Sequence, residues 1–143
     1  MLTEEDKAQM DHEHDISNKI VKYLRLKPLY YSYHCDEDDK RIFGEGRISI
    51  CLSEFFEGLT DEASIYVALR KTAIDGPCVF QWRSPLMDCT GEIKRAEFDS
   101  PTWSEVFRAA NQAYIDGRSP DHAFLEGIHN EGRSGAYEFS FGS

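Results

Sequence analysis

The chain has 143 residues, 16 of them basic and 26 acidic, for a net charge of −10. That balance excludes sequence-independent nucleic-acid binding, which needs clustered Lys and Arg to displace counterions, and it opposes adhesion to an anionic membrane surface. With 41% hydrophobic and 13% aromatic residues the chain is too apolar for disorder, and its length suits one domain, here 1–143, with a core of its own.

In chain order, the first ten residues are polar and are expected to be loose. From Asp15 onward Ile16, Ile20, Tyr23 and Leu24 recur at helical spacing, predicting a helix over 12–26 that Asp11 or Asp15 caps and Pro28 stops. Leu29 through Cys35 is aromatic-rich and reads as a strand. Asp36-Glu37-Asp38-Asp39 then makes a turn into a second strand, where Ile48, Ile50 and Leu52 alternate, so that 29–52 reads as a hairpin. Gly44 and Gly46 inside it suggest a bulge. A short helical turn is expected within 53–59. A further helix is expected to start at Thr60-Asp61-Glu62, to carry Ile65, Ala68, Leu69 and Thr72 on one face, and to end at Asp75-Gly76-Pro77.

Alternation of Cys78, Phe80 and Trp82 marks a third strand, and a short one is expected at 92–98. The clearest element follows. Ser100 as cap and Pro101 at the first helical position precede an apolar stripe of Trp103, Val106, Phe107, Ala110, Ala113 and Tyr114, and Asp116-Gly117 closes it. Two final strands, 123–128 and 136–141, flank a loop. The order predicts an α+β fold, a mixed and mainly antiparallel sheet with about three helices packed on it.

Candidate chemistry is sparse. His122, Glu126 and His129 superficially resemble a zinc-binding H-E-x-x-H helix, but on a strand residues 122 and 126 sit about 13 Å apart and cannot share an ion. The bland reading is a polar hairpin end. The functional one makes His122, oriented by Asp121 or Asp116, a general base with Glu126 nearby. Asp11, His14 and Asp15 share a helix face where divalent metal could bind adventitiously, yet acidic residues at a helix start are what its dipole prefers. The G-x-G at Gly44–Gly46 lacks the third glycine and following helix of a phosphate loop. Cys35, Cys51, Cys78 and Cys89 show no C-x-x-C spacing, so neither a zinc ribbon nor a redox motif is indicated, although a Cys35–Cys51 bridge stays open. Tyr31 and Tyr33 on one strand face and Tyr30 on the other are either core or a row that binds a partner or an aromatic ligand.

Residues 1–15 hold six carboxylates where a secretory segment would carry a cationic end and an apolar run, and no stretch reaches the ~20 apolar residues of a membrane span. A cytoplasmic location with reduced cysteines is therefore expected. The helix from Trp103 to Tyr114, Asp121-His122-Ala123-Phe124-Leu125-Glu126-Gly127 and the ending Tyr137-Glu138-Phe139-Ser140-Phe141-Gly142-Ser143 resemble the tails of small uncharacterised proteins carried on mobile elements such as integron gene cassettes and phages. The likeness covers under a third of the chain. It implies a compact bacterial accessory protein, often oligomeric, and brings no functional residues with it. The expectation is a non-catalytic binding or interaction module that associates with itself or with a protein partner, needs no cofactor and touches neither nucleic acid nor membrane directly. Alternatives are a small enzyme or ligand binder with a pocket near His122 and Glu126, and an acidic decoy for a basic DNA-handling protein.

Overall fold

A computed structural model describes residues 3–26, 48–56, 61–84, 92–117, 124–130 and 135–142. Helix α1, Glu4–Tyr23, begins earlier than the apolar spacing predicts, because a reciprocal cap starts it. The Thr3 hydroxyl accepts from the Asp6 backbone N–H and the Asp6 carboxylate accepts from the Thr3 N–H, both at 3.1 Å. Residues 4–10 are therefore helical, and neither Asp11 nor Asp15 is the cap. Only the second half has a core face, made by Ile16, Ser17, Ile20 and Val21. The stop comes at Arg25, before Pro28. Its φ of 56° lies in the left-handed region, which lets its N–H reach the Lys22 carbonyl at 3.1 Å and the Leu26 N–H reach Val21 at 3.0 Å.

Strand β1 is short, Ser49–Ile50, and leads into a 3-10 turn at Leu52–Glu54. Helix α2, Glu62–Leu69, starts as predicted, with the Asp61 side chain accepting from the Ser64 N–H at 3.0 Å. It ends well before Asp75, because the next residues pair elsewhere: Ala73 N–H donates to the Pro101 carbonyl at 2.8 Å and Trp103 N–H to Lys71 at 3.1 Å. Thr72 thus sits in a bridge to Thr102 rather than on a helix face.

Strands β2, Pro77–Ser84, and β3, Glu92–Asp99, pair antiparallel along their whole length. The turn out of β3 is tied at Ser100, whose N–H and hydroxyl both bond Gly76, each at 2.9 Å. Helix α3 runs Trp103–Gly117, so Ser100 is not its cap and Pro101 lies outside it. The cap is Thr102, which exchanges bonds with Glu105 through backbone and side chain at 3.2 and 3.3 Å. Strands β4, Phe124–His129, and β5, Glu138–Gly142, form an antiparallel hairpin with a bulge between Leu125 and Gly127. β1 adds parallel to β4. The hairpin expected over 29–52 lies mostly outside the described residues.

Among the described residues there are two sheets, β1-β4-β5 and β2-β3, joined by one parallel bridge between Phe80 and Tyr137. The fold is α+β, with mainly antiparallel strands in a mixed arrangement and three α-helices among the described residues. The larger core gathers Ile16 and Ile20 from α1 and Leu24 at its C-cap, Ile65 and Leu69 from α2, Phe107 and Tyr114 from α3, and Leu125 from β4. A smaller one centres on Cys78, Phe80 and Val106. Phe55 and Phe56 each meet Phe107 edge to face in the first, with centroids 5.2 and 6.0 Å apart.

Helix α1 is fixed to the sheet by a buried polar contact as well as by its apolar face. The Ser17 hydroxyl accepts from the Ile50 N–H of β1 at 3.0 Å. Ser17→Ala leaves that buried donor unmade and is expected to cost about 1–3 kcal/mol, less the ~0.5 kcal/mol by which Ala favours a helix. Urea unfolding measures it, and a change below about 0.5 kcal/mol would show that the contact does not hold α1 in place.

Candidate functional site

After the Phe80–Tyr137 bridge, β2 and β5 do not continue as a ladder. The bridge is well made: Gln81 N–H donates to the Tyr137 carbonyl at 2.9 Å and Tyr137 N–H to Val79 at 2.7 Å. Beyond it the Gln81 side-chain amide reaches across to the Glu138 carboxylate at 2.9 Å. The strands then part, leaving a cleft of about 300 Å³ lined by Gln81, Trp82, Arg83, Ile93, Ala113, Glu138, Phe139 and Phe141. That volume is at the small end of ligand pockets. Alternation explains the mixed lining. Trp82, Phe139 and Phe141 share the sheet face that packs on α3, whose Ala113 lies beneath, while Gln81, Arg83, Ile93 and Glu138 belong to the opposite face.

The indole of Trp82 is held in place from α3. Its Nε1 donates to Asp116 Oδ2 at 2.8 Å, and Asp116 Oδ1 accepts from Gln112 at 3.0 Å and faces the Lys94 ammonium at 3.6 Å. A carboxylate in the last turn of a helix opposes the helix dipole, so these donors are what make Asp116 tolerable with its side chain only 12% exposed. Behind Trp82, Phe139 lies 6.4 Å away, centroid to centroid, and stacks on Phe80 at 5.0 Å with an 8° interplanar angle. The cleft thus has one rigid aromatic wall and one polar lip. Among the described residues lining it there is no Ser, Thr, Cys or His.

The residues singled out in the sequence sit elsewhere. Glu126 is exposed in the β4 bulge, its carboxylate lying over Gly142 in the space a Cβ there would need. It does not line the cleft. Asp116 is committed to Trp82, Gln112 and Lys94. His122 and Asp121, the tyrosines Tyr30, Tyr31 and Tyr33, and the Gly44–Gly46 segment lie outside the described residues. Asp11, His14 and Asp15 are exposed along α1, where His14 meets Asn18 at 3.4 Å and Asp15 pairs with Lys19 at 3.4 Å. No group of three or more His, Cys, Asp or Glu among the described residues could hold a metal ion, and none of the described helices is long and apolar enough to cross a membrane.

Cys51 and Cys78 carry free thiols. Burial pushes the Cys51 thiol above its ordinary pKa, and the carboxylates of Glu126, Glu54 and Glu13 push it further. Burial also raises Cys78, with Asp99 adding to the shift. Cys78 borders a broader depression of about 570 Å³ with Val79, Glu97, Phe98 and Asp99, where carboxylates again disfavour a thiolate. Of the cleft residues, Trp82 is marked in the sequence only by strand alternation and Ala113 only by the helical stripe, neither as part of a site. The others are unremarkable in type, and only the separation of two strands distant in sequence brings them together.

The chain matches no protein-family model, no curated protein and no solved structure.

Both described cysteines should be poor nucleophiles, since the thiolate is the reactive form. At pH 7.5 iodoacetamide is expected to label Cys51 and Cys78 roughly tenfold or more slowly than free cysteine, with the rate climbing as pH rises past the ordinary thiol range. Peptide mapping by mass spectrometry measures it, and rapid labelling of either at neutral pH would contradict the environment described.

Proposed function

We propose that this chain is a non-catalytic binding module that holds a small planar ligand in the cleft between β2 and β5. The observation that carries this reading is the fixed aromatic wall. Trp82 is tied to Asp116 at 2.8 Å and backed by Phe139, so one side of a 300 Å³ cavity is ordered before any ligand arrives. Preorganisation of this kind lowers the entropic cost of binding. The opposite lip offers the second N–H of the Gln81 amide, whose first is given to Glu138, and it suits a carboxylate or similar acceptor on the ring. Catalysis has less support, since the described lining offers no nucleophile and no histidine. The setting consistent with the composition and with the C-terminal resemblance is the bacterial cytoplasm, in an accessory role.

Benzoate and benzamidine, rings of one size and opposite charge, serve as probes. Benzoate is expected to shift the Trp82 indole N–H resonance saturably, with Kd on the order of millimolar given its few heavy atoms, and to bind better than benzamidine. Ala113→Leu fills the floor of the cleft and should weaken benzoate roughly tenfold or more. Absence of a saturable shift, or a shift indifferent to Ala113→Leu, would sink the proposal.

A further inference from the structure

The outer edge of β3 carries a second surface. The strand is long and regular, in register with β2 from Glu92 to Asp99 with no bulge, and among the described residues no strand pairs with its other side. Helix α3 packs over β2. Which backbone groups face outward follows from the bridge on the far side of β2. There the Val79 carbonyl and the Gln81 N–H turn toward Tyr137, so Cys78, Phe80 and Trp82 turn theirs toward β3. Their partners Phe98, Ala96 and Lys94 are thereby used up. The alternate residues Ile93, Arg95 and Glu97 are left to present N–H and C=O groups outward.

Edges of this kind invite another strand unless their charges forbid it. Those of β3 do not forbid a second copy. In an antiparallel pair of β3 strands about a two-fold axis at Ala96, Arg95 stands directly opposite Glu97 of the partner, and Glu97 opposite its Arg95. Both are the outward-facing residues that would exchange backbone hydrogen bonds. Ala96 meets its own copy at the closest, non-hydrogen-bonded position, where a small side chain fits, and Lys94 falls opposite Phe98. Moving the axis to Arg95 or to Glu97 sets a like-charged pair face to face. The pattern is therefore self-complementary in one register and repulsive in its neighbours, which is how charge selects a partner.

We propose that this protein self-associates through the β3 edge, forming a two-fold dimer with a sheet continuous across it and with Arg95 and Glu97 as the reciprocal ion pairs. The contact is one strand wide, so the dimer forms reversibly with concentration. Arg95 and Glu97 are exposed, and exchanging their charges leaves the core untouched.

Sedimentation equilibrium on the full chain over a concentration series tests the proposal. The wild type is expected to show a concentration-dependent monomer–dimer equilibrium. Arg95→Glu or Glu97→Arg alone places like charges opposite twice and should weaken association roughly tenfold. The double exchange, Arg95→Glu with Glu97→Arg, should restore it to within about threefold. A wild type that stays monomeric at every concentration, or a dimer that ignores both single exchanges, would overturn the proposal. Circular dichroism of each variant confirms that the fold is retained.

Discussion

Among the described residues a single pair, Phe80 with Tyr137, joins two sheets that are otherwise separate. Its two backbone hydrogen bonds, at 2.7 and 2.9 Å, set the parallel direction of β5 against β2. The aromatic stack of Phe80 on Phe139 continues the join through side chains. Helix α3 can then cover both sheets, with Val106 against Phe80 in the smaller core and Phe107 and Tyr114 in the larger. Beyond that pair Trp82 bonds Asp116 on α3, and Gln81 and Glu138 bond each other across the mouth. The cleft is the space this interruption leaves.

The same interruption explains an arrangement that otherwise looks unfavourable. Asp116 places negative charge where the helix dipole is already negative, and its carboxylate is largely withdrawn from water. Three donors surround it, from Gln112, Lys94 and Trp82. The indole needs a partner for its N–H once buried, so carboxylate and ring satisfy each other. What results is a tryptophan with little freedom at the edge of a cavity.

Much of the architecture was legible in the residues, for identifiable reasons. Helix α3 is announced by its stripe from Trp103 to Tyr114, and β2 by the alternation of Cys78, Phe80 and Trp82, because both patterns are local and periodic. Boundaries failed where a non-local contact decided them. The cap of α1 is a Thr3–Asp6 exchange in a stretch without apolar spacing. Helix α2 ends early because residues 71–73 pair with residues 101–103, and Ser100 serves the Gly76 turn instead of capping. The site was not legible at all. Glu126 and Asp116 attracted notice through residue type, yet one lies over Gly142 and the other is an anchor for Trp82. The cleft depends on how far β5 follows β2, which no window of sequence contains.

The central claim, that the break between β2 and β5 is a binding site, is tested most directly by soaking crystals of the full chain with a set of small aromatic carboxylates. Density for the bound rings is expected against Trp82 and Phe139, with the carboxylate toward the Gln81 amide. Rings that settle elsewhere on the surface, leaving the cleft empty across the whole set, would contradict it.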